Sequence, residues 1–321
     1  MSNDACECLG IPHPPAEAPQ TFVPSPPPAD AVFGFVDMHV HTSPDIFGRA
    51  IDDDEAARSA QRARMGGIVL KNHASETASR AELLVRRYGF DAWGGIVLNR
   101  SVGGLNANAV ETIARIEGGR GRVVWLPTVD SNNHRKTLVG SDDGLDVMRD
   151  GKPTPELEAV VRACAASDMT LHTGHTAADD AVIVAELAQR HGVRCCITHA
   201  LFPIIGFTRE HVARATEVGA TIELCAIGAL MGPHSTVPWM RTWGNVDAQA
   251  CAAYVRDFGP QHFIISSDLG QNGNPIPTDG LRGFAADLGS AGLSPEDIRA
   301  MAVDNPRRLL GVRDLRFEGK A

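Results

Sequence analysis

Apolar and polar positions along this chain change their period repeatedly. Short runs rich in β-branched and other apolar residues alternate with stretches in which apolar positions recur every three or four residues. The runs are AVFGFVDMH (31–39), GGIVLKN (66–72), DAWGGIVLN (91–99) and RVVWLPTVD (122–130), then DMTLHT (168–173), VRCCITH (193–199), ATIELCA (220–226) and HFIISSD (262–268). Helical stretches between them cover 52–65, 75–88, 106–117, 155–167, 176–191, 208–218 and 247–258. Three more, 278–289, 294–302 and 304–310, follow the last run. Near-continuous apolar strands separated by amphipathic helices predict a parallel sheet covered by helices. Eight such units in about 290 residues predict an α/β fold of the (β/α)8, or TIM-barrel, type. A doubly wound open sheet is the alternative. Its phosphate-binding fingerprint is missing, because HVHTSPD rather than G-x-G-x-x-G follows the first run.

Two polar insertions interrupt the alternation, at 131–154 and 227–246. In a barrel both fall on the C-terminal face, where active sites are built. Residues 1–30 hold the proline clusters HPPAEAP and VPSPPP. Proline removes backbone donors, so this part reads as an extended proline-rich N-terminal tail and 31–321 as the barrel.

Composition narrows the function classes. The formal charge of −9 opposes a nucleic-acid backbone as partner. No apolar run reaches the roughly 18–20 residues of a membrane span, and the first residues lack a basic-then-apolar leader pattern. The seven cysteines are odd in number, with Cys195 and Cys196 adjacent in a strand, which predicts reduced thiols in a cytoplasmic protein. Cys6-Glu-Cys8 has a metal-binding look, but no second pair lies nearby. The expected partner is a small-molecule substrate, and a homodimer is the default assembly.

Residues i and i+2 of a strand share a side, so His39 and His41 converge at the end of the first strand. Taken alone, the pair reads equally as two metal ligands or as two hydrogen-bonding loop histidines. The other strand ends tip that balance. Lys71-Asn72-His73 closes the second, His172-Thr173-Gly174-His175 the fifth, Thr198-His199 the sixth and Ser267-Asp268 the eighth, with His134 just past the fourth. A ring of imidazoles with one carboxylate at a barrel mouth predicts a metal site. Glu223 in the seventh strand points either inward or outward. Arg241, between Trp239 and Trp243, reads either as a clamp for a substrate carboxylate or as part of a structured surface loop.

With these pieces in order, the chain resembles the amidohydrolase superfamily: VDMHVH, a strand-five histidine, ITHA, SSDLG and the closing DNPRRLLGV, over roughly residues 33–312. More narrowly, GIVLKNH, TGHT and SSDLGQNGNP resemble a little-characterised branch known only as a domain of unknown function. The resemblance implies a metal-bearing barrel that hydrolyses a bond at carbon or phosphorus. It implies His39, His41 and His199 as metal ligands, with Asp268 on the metal, the catalytic water or both. His172 or His175 is the strand-five ligand, with the TGH register favouring His175. The cation is Zn2+ first and Mn2+ second, as one or two ions. In the superfamily a carboxylated bridging lysine comes from strand four, whose end here is PTVDSNNH. Lys71 of strand two is then either a carboxylated bridge or a cation that orients an anionic substrate, and His73 stands beside it as a polarising group. Competing activities are a lyase on the same scaffold, a phosphoesterase and a non-catalytic metal-binding barrel.

Overall fold

A computed structural model of the protein describes residues 31–312; the proline-rich tail, with Cys6 and Cys8, lies outside them. Eight strands follow in chain order: β1 (Val36–His41), β2 (Gly67–Lys71), β3 (Ala92–Val97), β4 (Gly121–Trp125), β5 (Thr170–His172), β6 (Cys195–Ile197), β7 (Thr221–Cys225) and β8 (Phe263–Ser266). Each pairs in parallel with the next. The ring closes where Val40 bridges Leu269. There His41 N donates to Leu269 O at 2.9 Å and Asp268 N to His39 O at 2.9 Å. The fold is thus the (β/α)8 barrel.

Eight helices separate or follow the strands: α1 (Asp53–Arg62), α2 (Ala78–Tyr88), α3 (Ala107–Ala114), α4 (Pro155–Ala166), α5 (Ala178–Arg190), α6 (Arg209–Glu217), α7 (Ala248–Phe258) and α8 (Pro277–Ser290). Local chemistry sets their ends. Asp52 and Glu55 cap α1 reciprocally, Thr154 caps α4 with Pro155 just inside, and Gly89 ends α2 in the left-handed region. The stretches 294–302 and 304–310 are one helical run, Pro295–Arg299, a π turn at Ala300–Asp304 and Asn305–Leu310.

The largest departures from the sequence reading are at two strand ends and in one insertion. The first strand begins at Val36, because residues 31–34 turn and Gly34 takes φ of 77°. The fourth stops at Trp125 rather than 130, just before Pro127 and the insertion. That insertion is not all loop: a helical turn at Asn132–His134 runs into a π turn, and Met148–Arg149 pairs with Lys152–Pro153.

A smaller apolar cluster fills the barrel with Val36, Met38, Trp93, Trp125 and Ile264, and Leu309 and Leu310 close its lower end. Arg194 holds that plug through a 2.7 Å bond to Leu309 O. A larger cluster joins the strands to the surrounding helices. The register of β1 against β2 shifts between Asp37 and Val40. That bulge lets Val36 and Met38 pack inside while His39 and His41 both face Asp268, a re-aiming that bulges commonly perform beside sites.

Candidate metal centre

His39 Nε2 and His41 Nε2 lie 2.9 and 3.1 Å from the same oxygen, Oδ1 of Asp268. Donor atoms on one ion with bonds of about 2.0–2.1 Å sit roughly 2.9–3.4 Å apart, so this spacing fits a shared cation. The ring of His39 is 5.2 Å from that of His41 and 6.2 Å from that of His199. His199 is 4.9 Å from His175, whose Nδ1 is 2.8 Å from Nδ1 of His134. All of these chain-distant imidazoles therefore meet at one end of the barrel.

One carboxylate ties two of these residues, His39 by its ring and His199 by its backbone. Glu223 points inward and is fully buried. Its oxygens lie 3.2 and 3.3 Å from His39 Nδ1, and Oε2 also accepts from His199 N at 3.1 Å. Burial alone would raise its pKa, but the imidazoles around it, His39 foremost, together outweigh that and hold the carboxyl well below the usual range. With Nδ1–H committed to Glu223, His39 keeps its Nε2 lone pair for the site, the arrangement common to metal-ligating histidines. Burial works against the His39 imidazolium too, yet the Asp268 and Glu223 carboxylates together more than offset it and raise the pKa. Asp268 is lowered well below the carboxylate range by His39 and His41, again against the burial effect.

Two of these residues take backbone conformations that side chains disfavour: His199 has φ of 31° and Asp268 of 51°. Such strain, about 1–3 kcal/mol each, persists where the surroundings over-determine it. Here Glu223 grips the His199 amide, and Gln271 Nε2 donates to Asp268 O at 2.8 Å. Asp37 ties the closing strands, accepting at Oδ1 from His39 N (3.1 Å) and Ser267 N (2.9 Å).

Lys71 is 1% exposed, with Nζ 2.8 Å from His39 Nε2 and 5.6 Å above the Trp125 ring. Trp125 stands at the end of β4, where a strand-four lysine would have been sought. Desolvation comes first among the effects on Lys71 and lowers its pKa. Its charge acts on His39, His41, His73, His172, His175 and His199 alike. Lys71 is accordingly the hub of the ring rather than a surface group.

His73 is stacked on His41 at 4.9 Å. Asn99 Nδ2 donates to Thr128 Oγ1 at 3.1 Å, and that oxygen lies 3.0 Å from His73 Nδ1. Thr128 and Asn99 thus fix the orientation of the His73 ring through Nδ1. Burial, followed by neighbouring His41 and Lys71, keeps it neutral, with a pKa well below 6.5. Asn99, Thr128 and Arg49 are site residues that the sequence reading missed. Only Asn99, at the end of the third strand, carried a positional signal.

The cavity over this ring measures about 850 Å³ and is lined by His41, Lys71, His73, His175, His199 and Asp268 at its polar end. Its remaining wall is mainly apolar, with Phe47, Val139 and Trp239 half-exposed at the rim. The two strand-five candidates separate here. His175 lines the cavity, whereas His172 lies below it, fully buried against Trp125 at 5.5 Å, with neither ring nitrogen hydrogen-bonded. Arg241 does not line the cavity; it is exposed, and Nε donates to Ser235 O at 2.9 Å. Trp239 and Trp243, its neighbours, do line it.

A family profile described as a family of unknown function, DUF6282, matches residues 34–223, more than half of the chain. The chain belongs to that family. DUF6282 here carries the barrel seen in an amidohydrolase from Pseudomonas aeruginosa, at 12% identity and TM-score 0.62 over 88% of this chain and 97% of that one. It is similar also to a probable dipeptidase from Pseudomonas aeruginosa (13%, TM-score 0.63, 88% and 96%). The organophosphorus hydrolase from Deinococcus radiodurans is a third such structure (16%, TM-score 0.55, 88% and 94%). At these identities the likeness is one of fold. No curated protein matches the sequence. Among the described residues no helix is long and apolar enough to cross a membrane.

Proposed function

We propose that this DUF6282 protein is a metal-dependent hydrolase that directs water at an amide, cyclic amide, lactone or ester bond of a small molecule. The observation that carries the proposal is the pair of imidazole nitrogens, 2.9 and 3.1 Å from one Asp268 oxygen, at the floor of a large cavity. The hydrolases of like fold support it.

His39, His41 and Asp268 would hold the first divalent cation, Zn2+ before Mn2+, with His199 and His175 on the facing wall for the same ion or a second one. A bound cation of this kind supplies Lewis acidity and lowers the pKa of a coordinated water towards about 7. The protein's own groups do the rest. Asp268, opening on the cavity, takes the proton of the attacking water and returns it to the leaving group. His73, neutral and as the Nε2–H tautomer, would donate to the oxygen of the carbonyl under attack and polarise its electrophilic carbon. Lys71 as an ammonium would compete with a cation for the Nε2 of His39, so in the loaded protein it is neutral or carboxylated. The cysteine count and acidic charge fit a cytoplasmic enzyme.

Elemental analysis of protein purified without chelator tests the metal, and less than about 0.3 equivalents would favour a non-catalytic barrel. Asp268→Ala tests the mechanism. Turnover on lactone, cyclic imide and amide panels should fall by about 10³-fold or more while much of the metal stays. Full turnover in that variant removes Asp268 from its role. Incorporation of solvent 18O into product separates hydrolysis from a lyase reaction.

A further inference from the structure

Arg49 is the one guanidinium that lines the cavity among the described residues. Its side chain is held rather than free. Nε and Nη2 donate to Asp45 Oδ2 at 2.9 and 2.6 Å, and the side chains are 2% and 0% exposed. The ring of Phe47 lies 5.7 Å from Cζ. Nη2 also reaches His41 Nδ1 at 3.1 Å. Among the described residues none accepts from Nη1, which leaves its two hydrogens for whatever enters the cavity.

The contact with His41 limits what that histidine can do. An arginine only donates, so His41 Nδ1 accepts and the ring proton sits on Nε2, towards Asp268. A cation bound at Nε2 needs that lone pair, and the neutral ring then carries its proton on Nδ1. Nη2 thereby loses one of its two acceptors and keeps the other, Asp45 Oδ2. In the loaded protein Arg49 presents donors from both Nη1 and Nη2 beside the site, while Asp45 still fixes the plane through Nε. Two parallel donors on a fixed guanidinium match a carboxylate.

We propose that Arg49 anchors an anionic group of the substrate, so that the molecule hydrolysed is a carboxylate on an otherwise apolar body. The carboxylate sits on Arg49 next to His41, and the apolar body lies along Phe202, Ile227, Met231 and Trp243. The assignment rests on reading this cavity as the substrate site and names the class of molecule it takes. It moves the role of carboxylate clamp from Arg241 to Arg49.

Binding measured without turnover tests it. The probes are 3-phenylpropanoate and its neutral twin 3-phenylpropanamide, titrated calorimetrically into full-length zinc-loaded protein. The carboxylate should bind at least about tenfold tighter than the amide. In Arg49→Gln that affinity should drop by about tenfold while the amide changes less than twofold. Arg49→Lys keeps the charge without the fork and should fall between, which preserves the test if the glutamine variant folds poorly. A carboxylate held by zinc alone would bind both proteins equally, and that result overturns the proposal. Equal weakening of both probes also overturns it, since Arg49 would then serve only to place His41. Loss of hydrolysis with Arg49-dependent binding intact would sink the enzyme reading and leave the anchor standing.

Discussion

His39 and His41 are two residues apart and face the same carboxylate oxygen, yet they are backed by opposite chemistry. Behind His39 stands Glu223, an acceptor buried in the floor of the site and tied also to the backbone of His199. Behind His41 stands Arg49, a donor on the loop after β1. The floor is built from strand residues and fixes the His39 ring with Nδ1–H on Glu223, while Nε2 faces Lys71 and Asp268. The rim is built from a loop and presents the His41 lone pair only when Arg49 lets go. Burial and then the Arg49 charge already keep His41 neutral, with its pKa well below 6.5. One histidine thus has a preset tautomer and the other a conditional one. The difference places rigidity at the floor of the cavity and adaptability at its rim.

Substituting the two backing groups should break this symmetry in opposite directions. Glu223→Gln removes the carboxylate that fixes the His39 tautomer and is expected to weaken zinc binding by about 10–100-fold. Arg49→Gln frees the His41 ring and is expected to leave zinc affinity unchanged or to tighten it. Chelator competition measures both. If Arg49→Gln weakens zinc as much as Glu223→Gln does, the two backings are equivalent and the distinction between floor and rim is lost.

The junction between rim and barrel offers a smaller effect. Gly270, just past Asp268, has φ of 130°, and a Cβ there would come within 1.8 Å of His41 O. Gly270 O also accepts from Ala50 N at 2.8 Å, which anchors the Arg49 loop. Gly270→Ala is expected to cost roughly 1–3 kcal/mol in urea unfolding and to displace His41 before His39. A variant as stable as wild type, with unaltered histidine NMR shifts, would show that the rim is not pinned here.

Why the floor was legible in the sequence and the rim was not follows from the same contrast. Strand ends advertise themselves: the apolar run stops and a polar residue of unusual type follows, as at His39, Lys71, His175, His199 and Asp268. Period-two geometry then gives the shared side, although it did not show the bulge between Asp37 and Val40 that aims the two histidines. Glu223 sits in mid-strand, where alternation alone leaves inside and outside open until the ring closes. Arg49 lies in an irregular loop, and its contact with His41 depends on a backbone path that no periodicity encodes. His172 is the reverse case. It was the other strand-five candidate, and it lies below the cavity against Trp125, while the chain turns through Gly174, at φ of 59°, before His175 reaches the opening.

The smallest expected effect is no effect, and it is informative because a second group of candidate donors lies close by. His39, Glu223 and Cys225 also bring donor atoms within 4.8 Å of one another. An ion there would sit beneath the floor and would take Glu223 away from its role behind His39. The Asp268 side suits a cation better. Cys225 is 3% exposed, and burial, reinforced by the Glu223 carboxylate, raises its pKa well above 9. A thiol so placed resists becoming the thiolate that metals bind. Cys225→Ser should therefore leave zinc stoichiometry unchanged, and cobalt(II)-loaded protein should lack the near-ultraviolet band of a thiolate ligand. Iodoacetamide at pH 8 should leave Cys225 unlabelled in the native protein, along with Cys164 and Cys195, whose thiols burial pushes up to about 12. Loss of metal in Cys225→Ser would put the ion below the floor, make Glu223 a ligand instead of a support, and end the division between a preset and a conditional histidine.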